Sequence, residues 1–280
     1  MTDAALAQLA ASASIEIGLR ELGEVTKARD FLSPGRRVYV AHPPAQTWEE
    51  TIEACRIVRE AELEPVPHIP VRIIADAPTL ARLLGDLAAK ARVREVLLIA
   101  GDAPRAAGPF ASVVEAMRSA AFRDSAMRRV SFAGHPEGHP RVDVATIRRA
   151  EREKAAIAAE QNLKATFVTQ FAFEPEPALA WARQMRADGV RARLVAGIAG
   201  PAKLSTLFKY ALRCGVGPSI RALGTNSASV AELVGDQGPL AMMRALAGAP
   251  RAFDGMHFYG FGGFLRTSQW LAQVASGKPG

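Results

Sequence analysis

The sequence predicts a single (β/α)8 barrel, an α/β TIM barrel. Eight short runs rich in Val, Ile and Phe recur along the chain, and amphipathic helical stretches separate them. Such runs suit buried parallel strands, and repeated strand–helix alternation favours a closed barrel over an open sheet. The length of 280 residues agrees, because single barrels commonly run to about 250 residues. A chain of this size buries about three quarters of its unfolded surface and requires no disulfide or metal staple. Residues 1–280 are read as one barrel domain, with 1–13 as an N-terminal extension or helix.

The expected strands are SIEIG (Ser14–Gly18), RVYVAH (Arg37–His42), EPVPHIPV (Glu64–Val71), EVLLIA (Glu95–Ala100), VSFAG (Val130–Gly134), TFVTQF (Thr166–Phe171), RLVAGI (Arg193–Ile198) and GMHFYG (Gly255–Gly260). The first clear helix is expected over Thr47–Ala61, where Thr47 and Glu50 have capping-box spacing. The next covers Asp76–Ala91, with Asp76 as cap and Pro78 in the first turn. Further helices are expected over Ala111–Phe122, Val144–Ala159, Pro177–Asp188, Ala202–Cys214, Ser229–Leu246 and Leu265–Ala275. Gly and Pro between Val216 and Ser227 predict a long loop.

Composition narrows the class. Hydrophobic residues make up 49% of the chain and charged residues 22%, which excludes a disordered protein. The two cysteines, Cys55 and Cys214, both fall in apolar helical patterns. That excludes a disulfide scaffold and fits a reducing cytoplasm. No apolar stretch reaches the roughly 18–20 residues of a membrane helix, and the N-terminus lacks the basic start of an export signal. The net charge of +7 comes mostly from arginines scattered over helices, among them Arg148, Arg149, Arg152, Arg183 and Arg186. Aromatic residues do not interleave with them, so a nucleic-acid partner is not expected. A solvated basic surface and the steering of an anionic small molecule both remain open.

In this fold, chemistry collects at the C-terminal ends of the strands. Polar residues stand there at Glu16, His42, His68, Asp102, His135 and Gln170. Glu16, between Ile15 and Ile17, is a carboxylate expected to be partly desolvated and raised in pKa, as a general acid at neutral pH requires; a salt-bridged structural Glu is the competing reading. Gly101 permits a tight turn that carries Asp102 toward the mouth. Gln170 can donate and accept at once, which suits the edge of a heterocycle or a buried polar network. All five histidines, His42, His68, His135, His139 and His257, fall in or beside strands. The HPEGH stretch lies in a proline-containing loop without cysteine, so no metal site is expected. Neutral imidazoles bonded to an organic ligand, or satisfied by backbone, are the two readings of these rings.

The motifs SIEI, PHIP, AGDAPR, AGHPEGHP, VTQFAFEP, GIAGPAKLSTLFKYALRCGV and MHFYGF occur in this order from about Ser14 to Tyr259. In order and character they resemble SFEFFPP, PHLTC, LRGDPP, A-x-YPE-x-HP, ITQFFFD, PGIMPI and HFYTLNR of the methylenetetrahydrofolate reductase family. The resemblance implies a (β/α)8 barrel that reduces 5,10-methylenetetrahydrofolate to 5-methyltetrahydrofolate, or runs the reverse oxidation, in the cytoplasm. Hydride would come from NADH or NADPH, through FAD or directly. Glu16 matches the family's general acid, which protonates the folate nitrogen as the imidazolidine ring opens to an iminium. Asp102 matches the aspartate near the pterin, whose charge favours that cation. Gln170 matches the folate-contacting glutamine, with Phe171 beside it. His68 matches a histidine near the flavin and His139 the histidine of the PE-x-HP loop. Gly101, His42, Ala133 and His135 complete the implied cofactor side.

The departures fall on that cofactor side. The threonine of the family's second strand is replaced by Ala41 and followed by His42; the arginine before Gly-Asp is Ala100 and the tyrosine of YPE is His135. The flavin-phosphate lysine falls near Ala159, the PP after the first strand is Leu19-Arg20, and the arginine of TLNR falls near Gly263. FAD held by other groups (Arg20, His42 and His135), hydride transfer without flavin, and altered chemistry on a retained folate site are the three expectations. A folate-dependent methyltransferase and a non-catalytic folate-binding protein are the alternative functions. The fold is compatible with a homo-oligomer, but no interface can be named from the sequence.

Overall fold

The computed structural model describes residues 3–214, 237–249 and 252–277. Eight parallel strands close in chain order: β1 Ser14–Ile17, β2 Arg37–Val40, β3 Glu64–Pro70, β4 Glu95–Ile99, β5 Arg129–Gly134, β6 Lys164–Phe171, β7 Arg193–Ala199 and β8 Gly255–Tyr259. β8 returns to β1, with Ser14 opposite His257, so no strand edge is left open. The expected (β/α)8 barrel is the observed one. All eight strands lie where the apolar runs placed them, with ends displaced by one or two residues.

The surrounding helices are α1 Asp3–Ser12, α2 Val25–Ala28, α3 Trp48–Glu60, α4 Ala77–Lys90, α5 Val113–Arg118, α6 Ala120–Arg123, α7 Val144–Glu160, α8 Pro175–Ala187, α9 Leu204–Cys214, α10 Gln237–Ala247 and α11 Phe264–Ala275. The α3 cap is reciprocal. Thr47 Oγ1 accepts from the Glu50 amide at 3.2 Å, and Glu50 Oε2 accepts from the Thr47 amide at 2.8 Å. Asp76 caps α4 by accepting from the Thr79 amide at 2.7 Å.

Two expectations need correction. The helix expected over Ala111–Phe122 is two helices, because Ser119 takes an extended conformation and its Oγ caps α6 instead. After β1 there is no long helix. Leu19, Leu22 and Val25 are spaced by three, the period of a 3-10 helix, and 3-10 turns at Leu19–Glu24 and Arg29–Phe31 flank the one-turn α2. Helix α1, ahead of the barrel, packs against α11 beside this gap. The loop expected over Val216–Ser227 and the start of the helix expected at Ser229 lie outside the described residues.

A period-two pattern sorts the strand side chains. Ile15, Ile17, Val38, Val40, Phe132, Phe167 and Phe258 face outward into the core beneath the helices. Tyr39, Val66, Leu97, Val168 and Val195 form a smaller core inside the barrel. Toward the N-terminal end that interior becomes ionic. Glu95, 1% exposed, accepts from Arg37 Nε at 3.0 Å, Arg129 Nε at 2.9 Å and Ser131 Oγ at 2.9 Å. The Tyr39 hydroxyl extends this network to Ser131 Oγ at 2.9 Å. A fully bonded carboxylate thus fills the barrel floor and leaves chemistry to the opposite end.

Candidate active site at the C-terminal mouth

Glu16 and His68 meet across the barrel from β1 and β3. Glu16 Oε2 lies 3.6 Å from His68 Nε2, and their side chains are 23% and 12% exposed. Burial, aided by the charge of Glu21, pushes the Glu16 carboxyl up to about 8. Burial pushes the His68 imidazole down to about 4. At neutral pH the pair is therefore an un-ionised acid facing a neutral ring whose Nε2 has no hydrogen-bond partner among the described residues. A carboxyl in that state can give up a proton to a bound base.

The turn after β1 supports this carboxyl. Glu21 Oε2 accepts from the Gly18 amide at 3.0 Å and its Oε1 from the Phe264 amide at 2.8 Å. Glu24 accepts from the Leu265 amide at 3.0 Å. Two carboxylates thus bond the first amides of α11, where the helix dipole favours negative charge, and they hold the turn rigidly beside Glu16.

His257 occupies the next layer down. It is 1% exposed, its Nδ1 lies 2.9 Å from Ser14 Oγ, and its ring meets Tyr39 and Tyr259 edge-on at 4.7 and 4.8 Å. Burial drives it down to about 3, so this ring stays neutral. Tyr39 and Tyr259 were not singled out from the sequence, although strict alternation in RVYV and GMHFY turns both inward. Tyr259 Oη donates to the Thr169 carbonyl at 2.8 Å, and the Gly197 amide donates to Thr169 Oγ1 at 2.8 Å.

Those two bonds brace an irregularity. The β6–β7 register shifts between Val168 and Phe171, which re-aims Gln170 at the rim. The Gln170 amide is partly exposed and makes no hydrogen bond among the described residues. Phe171, 2% exposed, does not reach the opening as a folate contact would require; it packs under Phe261, with ring centroids 4.8 Å apart. Phe261 is stacked between Tyr259 and Tyr210, at 5.5 and 4.2 Å. A three-ring aromatic wall therefore stands beside Gln170.

Asp102 lies in the loop after β4, not within the barrel. It is 87% exposed and pairs with Arg141 at 2.8 Å. Gly101 performs the expected turn: its φ is +86°, and a Cβ there would stand 2.8 Å from Pro70 Cβ.

The histidines on the implied cofactor side are packed. His42 bonds Thr51 Oγ1 through Nδ1 at 2.7 Å and stacks on Trp48 at 4.0 Å. His135 meets His139 edge-on at 5.8 Å and is pushed down to about 3 by burial and by Lys154. His139 Nδ1 accepts from the Arg141 amide at 3.2 Å. Ala133 is partly buried on β5. Beneath His135 lies a cluster that the sequence did not disclose. Glu151, 1% exposed, accepts from Trp181 Nε1 and the His135 amide. Lys154 Nζ sits 5.5 and 5.6 Å from the ring centres of Phe132 and Phe167, and burial lowers it to about 8. Among the described residues no group of three or more His, Cys, Asp or Glu is placed to hold a metal ion. No described helix is long and apolar enough to cross a membrane.

No protein-family model matches the chain. Among solved structures, it is similar to a conserved protein of unknown function from an Enterococcus faecalis locus, with a TM-score of 0.51 and 11% identity over 94% of this chain and 65% of that one. A mandelate racemase/muconate lactonizing enzyme from Bordetella bronchiseptica aligns with a TM-score of 0.46 and 13% identity, over 96% of this chain and 58% of that one. The chain thus spans less than two thirds of the length of either. At 11% identity the first likeness speaks to fold alone.

Proposed function

We propose that the protein is an oxidoreductase acting on a folate one-carbon unit, reducing 5,10-methylenetetrahydrofolate with hydride from NADH or NADPH. The observation that carries this reading is the un-ionised Glu16 carboxyl at the end of β1, at the position where the family motif has its general acid. Gln170 and the Tyr259–Phe261–Tyr210 wall offer an amide and ring faces to a planar pterin and its aryl group.

In the proposed reaction, Glu16 delivers its proton to the folate nitrogen that leaves the one-carbon bridge. That C–N bond breaks and a cationic iminium forms on the other nitrogen. Asp102 lies on the same rim and favours the cation, although Arg141 offsets part of its charge. Hydride from the nicotinamide then adds to the iminium carbon and gives the methyl group, leaving oxidised nicotinamide. Glu16, left as a carboxylate by its proton transfer, takes its next proton from water at the mouth, where 23% of its side chain is exposed, while the neutral His68 ring faces it at 3.6 Å.

Of the groups that could meet a flavin diphosphate, Arg20 and, in the loop after β4, Arg105 are exposed and have no carboxylate partner among the described residues. His42 and His135 are packed against protein. Of the nearby cations, Arg141 is paired with Asp102, Arg72 donates to the Pro104 carbonyl, and Lys154 is sealed against two rings. The hydride transfer proposed here runs directly from the nicotinamide to the iminium carbon.

The test is nicotinamide oxidation by the purified protein with methylenetetrahydrofolate, with and without added FAD. Turnover without flavin, lost in Glu16→Gln while calorimetric folate binding persists, is the expected result. Absence of both folate binding and turnover refutes the reading. Methyl transfer from methylfolate without nicotinamide would replace it with the methyltransferase.

A further inference from the structure

We propose that the N-terminal face of the barrel, opposite the mouth, carries a second ligand site, built by Arg92, Arg94 and Arg128 for a compact polyphosphate anion. An open depression of about 530 Å3 lies there, lined by Arg59, Glu62, Glu64, Arg92, Arg94, Arg128 and Arg129. Five guanidiniums against two carboxylates already make it cationic, and the pairing sharpens the contrast. Glu64 is shared by Arg59 at 2.8 Å and Arg129 at 3.3 Å. Arg129 also holds Glu95, and Glu62 is paired outside the depression with Arg29. The carboxylates of the site are thereby committed to Arg29, Arg59 and Arg129, and none is left for the outer three arginines. Arg92, Arg94 and Arg128 are exposed and have no carboxylate partner among the described residues. Arg94 and Arg128 each donate only to the carbonyl of the preceding residue, at 3.1 and 3.3 Å.

The backbone that carries them is fixed before any ligand arrives. The Arg94 carbonyl accepts from the Arg128 and Arg129 amides at 2.9 and 3.0 Å, and the Arg128 carbonyl accepts from the Lys164 amide at 3.2 Å. Arg92 is held in the left-handed region at φ 52° and gives its carbonyl to Arg59. A rigid frame that presents unpaired guanidiniums costs little reorganisation on binding. Planar guanidiniums bind phosphate oxygens in pairs. No aromatic side chain lines the depression, so nothing there would stack a nucleobase. The chemistry selected is linked phosphates recognised by charge. This site is independent of the folate reading, because it shares no residue with the mouth.

The experiment is calorimetric titration of the full chain with sodium tripolyphosphate at low and at high salt. Binding that weakens with salt is expected, with a loss of about tenfold for each of Arg92→Ala, Arg94→Ala and Arg128→Ala. Glu16→Gln and Arg183→Ala, the latter normally paired with Glu176 on α8, should bind as the wild type does. The wild type should also gain thermal stability with the ligand, a gain that Arg94→Gln should diminish. No binding, or equal binding by the three arginine variants, overturns the proposal. A DNA duplex that binds more tightly than tripolyphosphate at equal salt also overturns it, in favour of a nucleic-acid surface.

Discussion

Replacing Glu16 with Gln should stabilise the protein, and the gain should grow with pH. In the unfolded chain this carboxyl ionises near 4.5, and in the fold at about 8. Between those values the folded state holds one more proton than the unfolded state, so stability falls as pH rises. The slope is about 1.4 kcal/mol per pH unit, which accumulates to about 3 kcal/mol by neutrality and 4–5 kcal/mol above pH 8. With 23% of the side chain exposed, these are upper values. Glutamine keeps the shape and stays neutral, so it escapes the penalty. The assay is the urea midpoint of both proteins from about pH 5 to pH 9 at unchanged m-value. The variant should gain nothing near pH 4.5 and reach a plateau above pH 8. His135 and His257, both held neutral at about 3, act on the other limb: their stabilisation is present above 6.5 and is lost as pH falls toward those values. They are common to both proteins and cancel in the difference. A difference that stays flat from about pH 5 to pH 9 would refute a desolvated acid, and with it the general-acid role.

Three further outcomes can be read by denaturation. Gly101→Ala should cost about 2 kcal/mol, because φ is +86° and the new methyl meets Pro70 at 2.8 Å; an unchanged midpoint would show that the loop can move aside. Glu95→Ala should cost about 3–5 kcal/mol, since Arg37 and Arg129 would be left facing each other without their shared carboxylate. Lys154→Met should stabilise the protein by about 1–3 kcal/mol at neutral pH, because an ammonium sealed against Phe132 and Phe167 is a burial cost that persists until pH passes its lowered value of about 8. That gain should shrink as pH rises toward 10.5, and a loss at neutral pH would instead show Lys154 supporting Glu151 and His135.

The architecture was legible because it rests on local signals. A buried strand needs an apolar run, a helix needs a stripe and a cap, and both are written in neighbouring residues. Thr47 and Glu50 capped α3 as their spacing implied, and SIEI carried Glu16 to the mouth on an alternation visible in four letters. The break at Ser119 and the 3-10 turns after β1 rest on weaker local signals, a single extended residue and a spacing of three over one short segment. Gly101 was legible too, since a tight turn between strand and loop favours the residue without a Cβ.

What the sequence could not supply was which side chains meet across the barrel, because that depends on strand order, shear and burial. Glu16 and His68 are 52 residues apart in the chain, and only closure of the barrel sets them at 3.6 Å. Only packing decided that Phe171 would face a hydrophobic cluster, that Asp102 would be drawn out to Arg141, and that His42 and His135 would be walled in. The arginines show the same division. The sequence alone determined that the chain is basic and that its arginines are many. Three of them are left unpaired around one depression because the fold assigned the neighbouring carboxylates to other partners, a choice made by distance in space rather than by order along the chain.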